Sequence, residues 1–162
     1  MLFSFDIRGN LLPAQKLIVP FDTFKETFVY SFDPDSTRYA IFEQYCRFLN
    51  DFSELVSHRF THWINGSFVS NQVNPEDIDF VTLIDFETYY VHQTLIEQRF
   101  RLQGARNIYG VDAYTIRVYP ETHLKYVHTS MDFAYWNNWF GKTKANRAGK
   151  KFDKGFVELN YS

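Results

Sequence analysis

The sequence predicts an α/β (α+β) protein in which a short mixed β-sheet has helices packed on one side. Apolar residues recur at three- and four-residue spacing over residues 37–56, which is typical of an amphipathic helix. Short apolar segments at residues 60–65 and 80–84 have the length and composition of strands. Apolar and polar residues alternate over residues 113–118 and predict a third, half-exposed strand. Helical and strand patterns in one chain of this kind favour a sheet covered by helices.

The N-terminal part of the chain is predicted to consist of short elements and one long helix. Thr23 and Glu26 have the spacing of a capping box, so a short helix is expected to start there. The long helix carries the single cysteine, Cys46, which we expect to pack in the interior, because no His accompanies it in a cysteine-enzyme signature. Turn signals separate these elements, and short strands are predicted at residues 1–7 and 16–19.

The second half of the chain is predicted to alternate between helices and strands. Residues 67–72 are short and polar and predict a single helical turn. Asp85 is expected to cap a helix over residues 86–102 rather than to bind a ligand. The remaining predicted elements are a turn at residues 107–110, a helix from Pro120 to Gly141 and a closing strand at residues 155–160.

Composition limits the classes of protein that the chain can belong to. With 162 residues it has enough length for one domain with a real core, and with 20% aromatic residues that core should be packed largely with rings. The net charge of −2 excludes a protein that is basic overall. Because a single cysteine cannot form an internal disulfide and no apolar run approaches the ~18 residues of a membrane span, we expect a cytoplasmic protein without membrane contact.

Two aspartates lie at the head of an apolar strand and point to metal chemistry. In an extended chain Asp77 and Asp79 share one face, where like charges repel unless a cation lies between them. Hard carboxylate oxygens suit Mg²⁺ or Mn²⁺. Gly66 and Ser67 follow the preceding predicted strand, and the combination makes this segment a candidate phosphoryl-transfer site. The alternative is a solvated turn, since a Pro-Glu pair directly precedes the aspartates.

The motif Gly-Ser, nine residues, Asp-Ile-Asp-Phe resembles the signature of the DNA polymerase β-type nucleotidyltransferase superfamily, in particular its small, stand-alone bacterial branch. The resemblance implies that Gly66 and Ser67 hold nucleotide phosphates, that Asp77 and Asp79 hold two metal ions, and that a later strand supplies a third carboxylate. Asp112 stands where that carboxylate is expected, and an acidic turn residue is its alternative interpretation.

The resemblance also implies the domain layout. We expect one nucleotidyltransferase-like domain over residues 1–162, with a catalytic core at about 60–118, an N-terminal strand and helix extension at 1–58 and a basic C-terminal segment at 142–154. Many relatives place an Arg shortly after the Gly-Ser pair, and this chain has none there. Its absence puts the clamping of the nucleotide's phosphates in doubt.

The basic segment, residues 142–154, has six cations and one acid, hence a net charge of +5 that leaves −7 for the rest of the chain. A basic loop on an otherwise acidic protein is suited to bind the phosphates of an NTP or a nucleic-acid backbone. We expect Lys142, Lys144 and Arg147 to bind phosphate. The alternative is a solvated loop without such a role.

The predicted function is metal-dependent transfer of NMP from an NTP to a hydroxyl of RNA or protein. The resemblance implies Mg²⁺ (or Mn²⁺) as cofactor and a bacterial toxin–antitoxin or phage-defence system as a context. One alternative is a catalytically inactive domain of the same fold that binds a nucleotide or docks a partner. Another is a metal-dependent phosphohydrolase, which would release nucleoside monophosphate without an acceptor.

Other motifs are not expected to carry chemistry. His58 and His62 have the spacing of helical zinc ligands, but they lie on a strand pattern with no Cys or third His near them in sequence. The Gly-Ser pair lacks the flanking residues of a hydrolase nucleophile elbow, and no phosphate loop ending in Gly-Lys-Ser or Gly-Lys-Thr has its upstream glycine.

Overall fold

The computed structural model of the protein describes residues 3–162, so the first two residues of the strand predicted at 1–7 lie outside the described part. The strands are β1 (Ser4–Phe5), β2 (Leu11–Leu12), β3 (Lys16–Ile18), β4 (Phe60–Asn65), β5 (Asp79–Asp85), β6 (Asp112–Val118) and β7 (Phe156–Tyr161). The helices are α1 (Phe21–Lys25), α2 (Thr37–Leu55), α3 (Phe86–Val91), α4 (Gln93–Leu95), α5 (Leu102–Tyr109) and α6 (Tyr126–Phe140). Helix α1 continues as a π-helix over Glu26–Tyr30, and α4 continues as a π-helix over Ile96–Phe100.

Five strands form the central sheet, in the order β3-β7-β4-β5-β6. Strands β5 and β6 are parallel, as are β3 and β7, whereas β4 is antiparallel to both of its neighbours. The sheet is therefore mixed, and the predicted α/β class is confirmed. Strands β1 and β2 pair separately as a small antiparallel ribbon.

The larger core lies between one face of the sheet and helices α1, α2, α3 and α5. Phe48 of α2 is fully buried, and its ring meets the ring of Phe80 in β5 edge to face with centroids 4.9 Å apart. The rings of Phe100 and Tyr109 also pack on Phe48, each with its centroid 5.3 Å from that of Phe48. The core is packed largely with rings, as the composition predicts.

Helix α6 covers part of the opposite face, so the helices are not confined to one side of the sheet. Trp63 and Ile64 are consecutive residues of β4 and point to opposite faces. Ile64 belongs to the larger core, whereas Trp63 packs with Phe140 of α6 and Phe156 of β7 in a second cluster. This helix is rich in apolar and aromatic residues, and it buries only the side that faces the sheet.

Several predicted helix boundaries are wrong for identifiable reasons. Helix α1 begins at Phe21, directly after Pro20, so Thr23 lies within a helical turn and forms no capping box. The helix predicted at residues 86–102 is interrupted at His92, where the backbone leaves the helical conformation, and it ends at Phe100, because Arg101 is extended and Leu102 has a φ of 48°. The chain turns there into α5, a helix that the sequence analysis missed and that Gly110 ends in the left-handed conformation.

Other local predictions are confirmed. Asp85 caps α3, since its carboxylate accepts hydrogen bonds from the main-chain N–H groups of Glu87 and Thr88 at 3.0 and 3.1 Å. The single helical turn after Gly66 is a 3-10 turn at Ser67–Val69.

No helix within residues 3–162 combines the length and apolar character that crossing a membrane requires.

Candidate metal and nucleotide site

Three adjacent strands place the predicted acidic residues at one end of the sheet. Asp79, the first residue of β5, pairs with Asn65 at the end of β4 and with Asp112 at the start of β6. Asp77 precedes β5, and the intervening Ile78 is fully buried in the core, so the two aspartates share the opposite face. Carboxylate oxygens of Asp77, Asp79 and Asp112 lie within 4.8 Å of one another. The three residues named from the sequence are thus brought together.

The surroundings of Asp77 and Asp79 disfavour the charged forms of these two carboxyl groups. Burial raises the pKa of Asp79 to about 7, assisted by a hydrogen bond with Asp112 and by the charge of Asp77. The pKa of Asp77 is raised by burial and by Asp112, while Arg106 and Lys144 act in the opposite direction. A cation between the carboxylates would relieve this repulsion. Three close hard-oxygen donors fit Mg²⁺ or Mn²⁺ by charge and by ligand type.

Arg106 is a site residue that the sequence analysis missed. Its guanidinium lies 2.8 Å from Oδ1 of Asp112 and 3.9 Å from Oδ2 of Asp77. The hydrogen bond to Asp112 raises the pKa of Arg106, which therefore keeps its charge. Its position depends on α5, whose last turn carries it towards the start of β6. Because α5 was not predicted, no sequence signal placed this arginine near the aspartates.

Gly66 allows the loop after β4 to approach the carboxylates closely. Its φ is +82°, and a Cβ added at this position would lie 2.5 Å from Oδ2 of Asp79. Any residue type with a side chain would be strained at this φ and would clash with Asp79, so glycine is the residue that fits here. Ser67 follows in the 3-10 turn and lines the same cleft as Asp79. The Gly-Ser pair and the acidic cluster are therefore neighbours, as the resemblance implies.

Arg38 fixes the loop that follows Gly66 by hydrogen bonds to its main chain. This side chain of α2 is fully buried and forms no salt bridge within residues 3–162. Burial lowers its pKa to about 10. The guanidinium donates hydrogen bonds to main-chain carbonyl oxygens of the loop and of the α1 extension: Phe68 at 2.6 Å, Gln72 at 2.6 Å, Phe28 at 2.7 Å, Ser70 at 2.8 Å and Ser67 at 3.3 Å. Arg38, which is distant in sequence, thus fixes the segment after Gly66, and that segment contains no arginine itself.

A cleft of about 900 Å³ lies over these residues. Its lining includes the acidic cluster, the Gly-Ser pair, the end of α6 and part of the basic segment. Lys154 is one of the lining residues; it is half-buried, and its Nζ donates a hydrogen bond of 2.6 Å to Oδ1 of Asn65. Burial lowers its pKa to about 8, against the opposing effect of Asp79. The sequence analysis counted this lysine in the basic segment but gave it no role.

The basic segment is an exposed, hydrogen-bonded hairpin rather than an unstructured loop. Thr143 and Lys154 donate main-chain hydrogen bonds to Phe152 and Gly141 at 2.8 and 2.9 Å. Of the three predicted phosphate ligands, Lys142 and Lys144 line the cleft and Arg147 does not. Lys142 is also paired with Asp153 at 2.6 Å. Lys144 is therefore the best placed of the three.

The two remaining candidate ligands take no part in a metal site. His62 is fully buried between the hydroxyls of Tyr45 and Thr82, at 2.7 and 3.0 Å, and burial lowers its pKa to about 3. His58 is bonded to Ser53 at 2.6 Å instead. In the described chain the only group of three metal-ligating side chains is the acidic cluster. Cys46 is partly buried in α2, and burial raises the pKa of its thiol.

Comparison with known proteins places the chain in a family without identifying its activity. No curated protein and no solved structure is significantly similar to it. A family model described as "Family of unknown function (DUF6932)" matches residues 3–160, which is nearly the whole chain. The protein therefore belongs to the family DUF6932.

Proposed function

We propose that the protein is a metal-dependent nucleotidyltransferase, which transfers NMP from an NTP to an acceptor hydroxyl and releases pyrophosphate. The observation that carries this proposal is the convergence of Asp77, Asp79 and Asp112 within 4.8 Å, directly beside the Gly66-Ser67 loop. The adjoining cleft of about 900 Å³ has room for a nucleotide. The sequence resemblance to polymerase β-type nucleotidyltransferases supports the same assignment.

In this proposal the acidic cluster holds Mg²⁺ or Mn²⁺. When bound, such ions neutralise charge on the transferred phosphoryl group and make the acceptor hydroxyl more acidic. The main-chain N–H and hydroxyl of Ser67 bind a terminal phosphate of the NTP, on a loop that Arg38 holds in place. Lys144 and Lys154, which also line the cleft, supply positive charge near the acidic cluster.

The reaction consists of one substitution at phosphorus. The acceptor's hydroxyl oxygen forms a bond to the α-phosphorus, the bond from that phosphorus to the oxygen bridging the β-phosphate breaks, and the hydroxyl proton passes to water. Pyrophosphate leaves with the electron pair of the broken bond. The chain contributes mainly by fixing the position of the reactants and by matching their charge, which are the largest sources of catalysis in such reactions.

The proposal is tested with each α-labelled NTP in the presence of Mg²⁺ and a cell lysate or total RNA. We expect label in an acceptor, and we expect Asp77→Asn and Asp79→Asn to abolish it while the protein stays folded. Asp85→Asn is the matched control, because Asp85 lies at the far end of β5 and serves as a helix cap. Release of NMP without any labelled acceptor would instead indicate a phosphohydrolase.

A second candidate function is nucleotide binding without turnover. It is favoured by Arg106, whose guanidinium already contacts two of the three carboxylates in the way that a cation would. In that case Mg²⁺ with NTP raises the melting temperature, and no label is transferred to any acceptor. The same labelling experiment therefore distinguishes the two functions.

A further inference from the structure

Exposed aromatic and basic side chains are concentrated at the end of α6 and on the basic segment that follows it. We call this surface the outer rim. Its members are Tyr135 and Trp139 of α6, together with Lys144, Arg147, Lys150, Lys151 and Phe152 of the basic segment. Of these residues, Trp139, Lys144 and Lys151 also line the cleft.

The two aromatic members on α6 expose ring surfaces to solvent. Tyr135 and Trp139 are 58% and 52% exposed, although α6 has a sheet face on which such rings could be buried. Their planes are nearly parallel, at 4°, with centroids 6.4 Å apart. Two exposed, similarly oriented rings one helical turn apart are suited to stack with planar groups.

Two cations of the outer rim lie beside aromatic rings of the same surface. Lys151 Nζ lies 6.0 Å from the ring centre of Trp139, and Lys150 Nζ lies 5.0 Å from that of Phe152. Within residues 3–162 none of the four rim cations forms a salt bridge, since the one acid of the segment, Asp153, is paired with Lys142. The positive charge is therefore available to a ligand.

The extent of this charge exceeds what one nucleotide needs. An NTP in the cleft meets Lys144 and Lys154, which line it, whereas Arg147 and Lys150 lie outside the cleft lining. A ligand that uses all of these cations must carry phosphates beyond the cleft. Repeated phosphates with planar groups between them are the chemistry of a polynucleotide, and exposed bases are a property of a single strand.

We propose that the acceptor is a single-stranded nucleic acid that lies along the outer rim, with bases stacked on Tyr135 and Trp139 and phosphates on the rim cations. This inference rests on the proposed function. The strand's terminal hydroxyl oxygen forms the new bond to the α-phosphorus of the NTP, the bridging oxygen–phosphorus bond breaks, pyrophosphate leaves and the proton passes to water. Each turnover lengthens the strand by one nucleotide.

The test measures binding of the full chain to fluorescein-labelled single strands of RNA and DNA, 12 nucleotides long, by anisotropy in EDTA. The double variant Tyr135→Ala/Trp139→Ala should bind about tenfold more weakly or worse, because each stacked base contributes substantially to binding. Met131→Ala is the matched control, since Met131 is a 65% exposed apolar residue one turn earlier on α6. It should leave binding unchanged.

The charge contribution has its own measurement. In the double variant Arg147→Gln/Lys150→Gln the slope of log K against log salt should fall by about 1.4, because a single strand loses about 0.7 for each phosphate contact removed. Circular dichroism and melting temperature verify that every variant is folded. Tighter binding to a duplex than to a single strand, or a salt slope that the charge variant leaves unchanged, would overturn the inference.

The outcomes separate this inference from the proposed function. Asp79→Asn should still bind the oligonucleotide in EDTA, since Asp79 lies in the acidic cluster and not on the outer rim. Transfer of label to protein with no binding of either oligonucleotide would overturn the inference and leave nucleotidyl transfer in place. Rim-dependent binding with no transfer of label by the wild-type protein would support a nucleic-acid surface and contradict the proposed function.

Discussion

Replacing Asp79 by Asn should stabilise the metal-free protein at neutral and alkaline pH. The pKa of this carboxyl is about 7 in the folded protein, compared with an ordinary value of 3.8. One pKa unit corresponds to about 1.4 kcal/mol, so ionising Asp79 in the folded state costs up to about 4 kcal/mol. Because the carboxyl faces a solvent-filled cleft, screening reduces this value, and we expect a gain of about 2 kcal/mol for Asp79→Asn.

The sign of the effect follows from proton binding. Between pH 4 and pH 7 the folded state holds a proton on Asp79 that the unfolded chain has released. The free energy of unfolding of the wild-type protein therefore falls as the pH rises through this range, and the loss is complete above about pH 7. The Asn side chain is neutral throughout, so the variant and the wild type should be equally stable near pH 4 and differ most at pH 8.

Urea unfolding in EDTA, followed by circular dichroism at several pH values, measures this difference. Asp85→Asn is the control, since it removes a carboxylate from the other end of the same strand and keeps the pH dependence that Asp79 causes. Mg²⁺ should narrow the gap at pH 8 by stabilising the wild type more than the variant. A variant that is less stable than the wild type at pH 8 in EDTA, or a gap independent of pH, would refute the reasoning.

Two further predictions concern the loop beside the acidic cluster. Gly66→Ala should destabilise the protein by about 2 kcal/mol and abolish label transfer, because the new Cβ would lie 2.5 Å from an Asp79 oxygen. The control is Gly149→Ala, at a position with a φ of +77° and open space around it. This control should lower the free energy of unfolding in urea by only about 1 kcal/mol and should retain label transfer. Equal effects of the two alanines would contradict the close approach. Arg38→Met should lower the free energy of unfolding by about 3 kcal/mol or more, because it leaves several buried carbonyl groups without hydrogen-bond donors. Arg47→Met, which replaces an exposed arginine of the same helix, should leave the free energy of unfolding nearly unchanged.

The strands that carry the site could be predicted from the sequence because their signals are local. The alternation at Asp77-Ile78-Asp79 already separates a cleft face from a core face, and the structure follows it. The bounds of β4 agree with the predicted segment, and those of α2 and β6 agree within one residue. Such elements have a regular period over six or more residues, so nearest-neighbour patterns are sufficient to identify them.

The two arginines of the site that the sequence did not indicate, Arg106 and Arg38, depend on tertiary structure for their positions. Arg106 contacts Asp112 only because an extended Arg101 and a left-handed Leu102 redirect the chain into α5. Arg38 reads in the sequence as one polar residue of an amphipathic helix, and its carbonyl partners lie about thirty residues away along the chain. A backbone reversal of this kind and a buried side chain without an ionic partner leave no periodic signature.

The position of β7 decides when the site can exist. This strand is the last in chain order, yet it lies between β3 and β4 and supports the latter along most of its length. Asn65, at the end of β4, in turn aligns with Asp79 and anchors the amine of Lys154. A nascent chain in which β7 has not yet emerged from the ribosome therefore lacks the central partner of β4, and we expect such a chain to bind neither metal nor nucleotide. Ligand affinity should appear in the same kinetic phase as global folding.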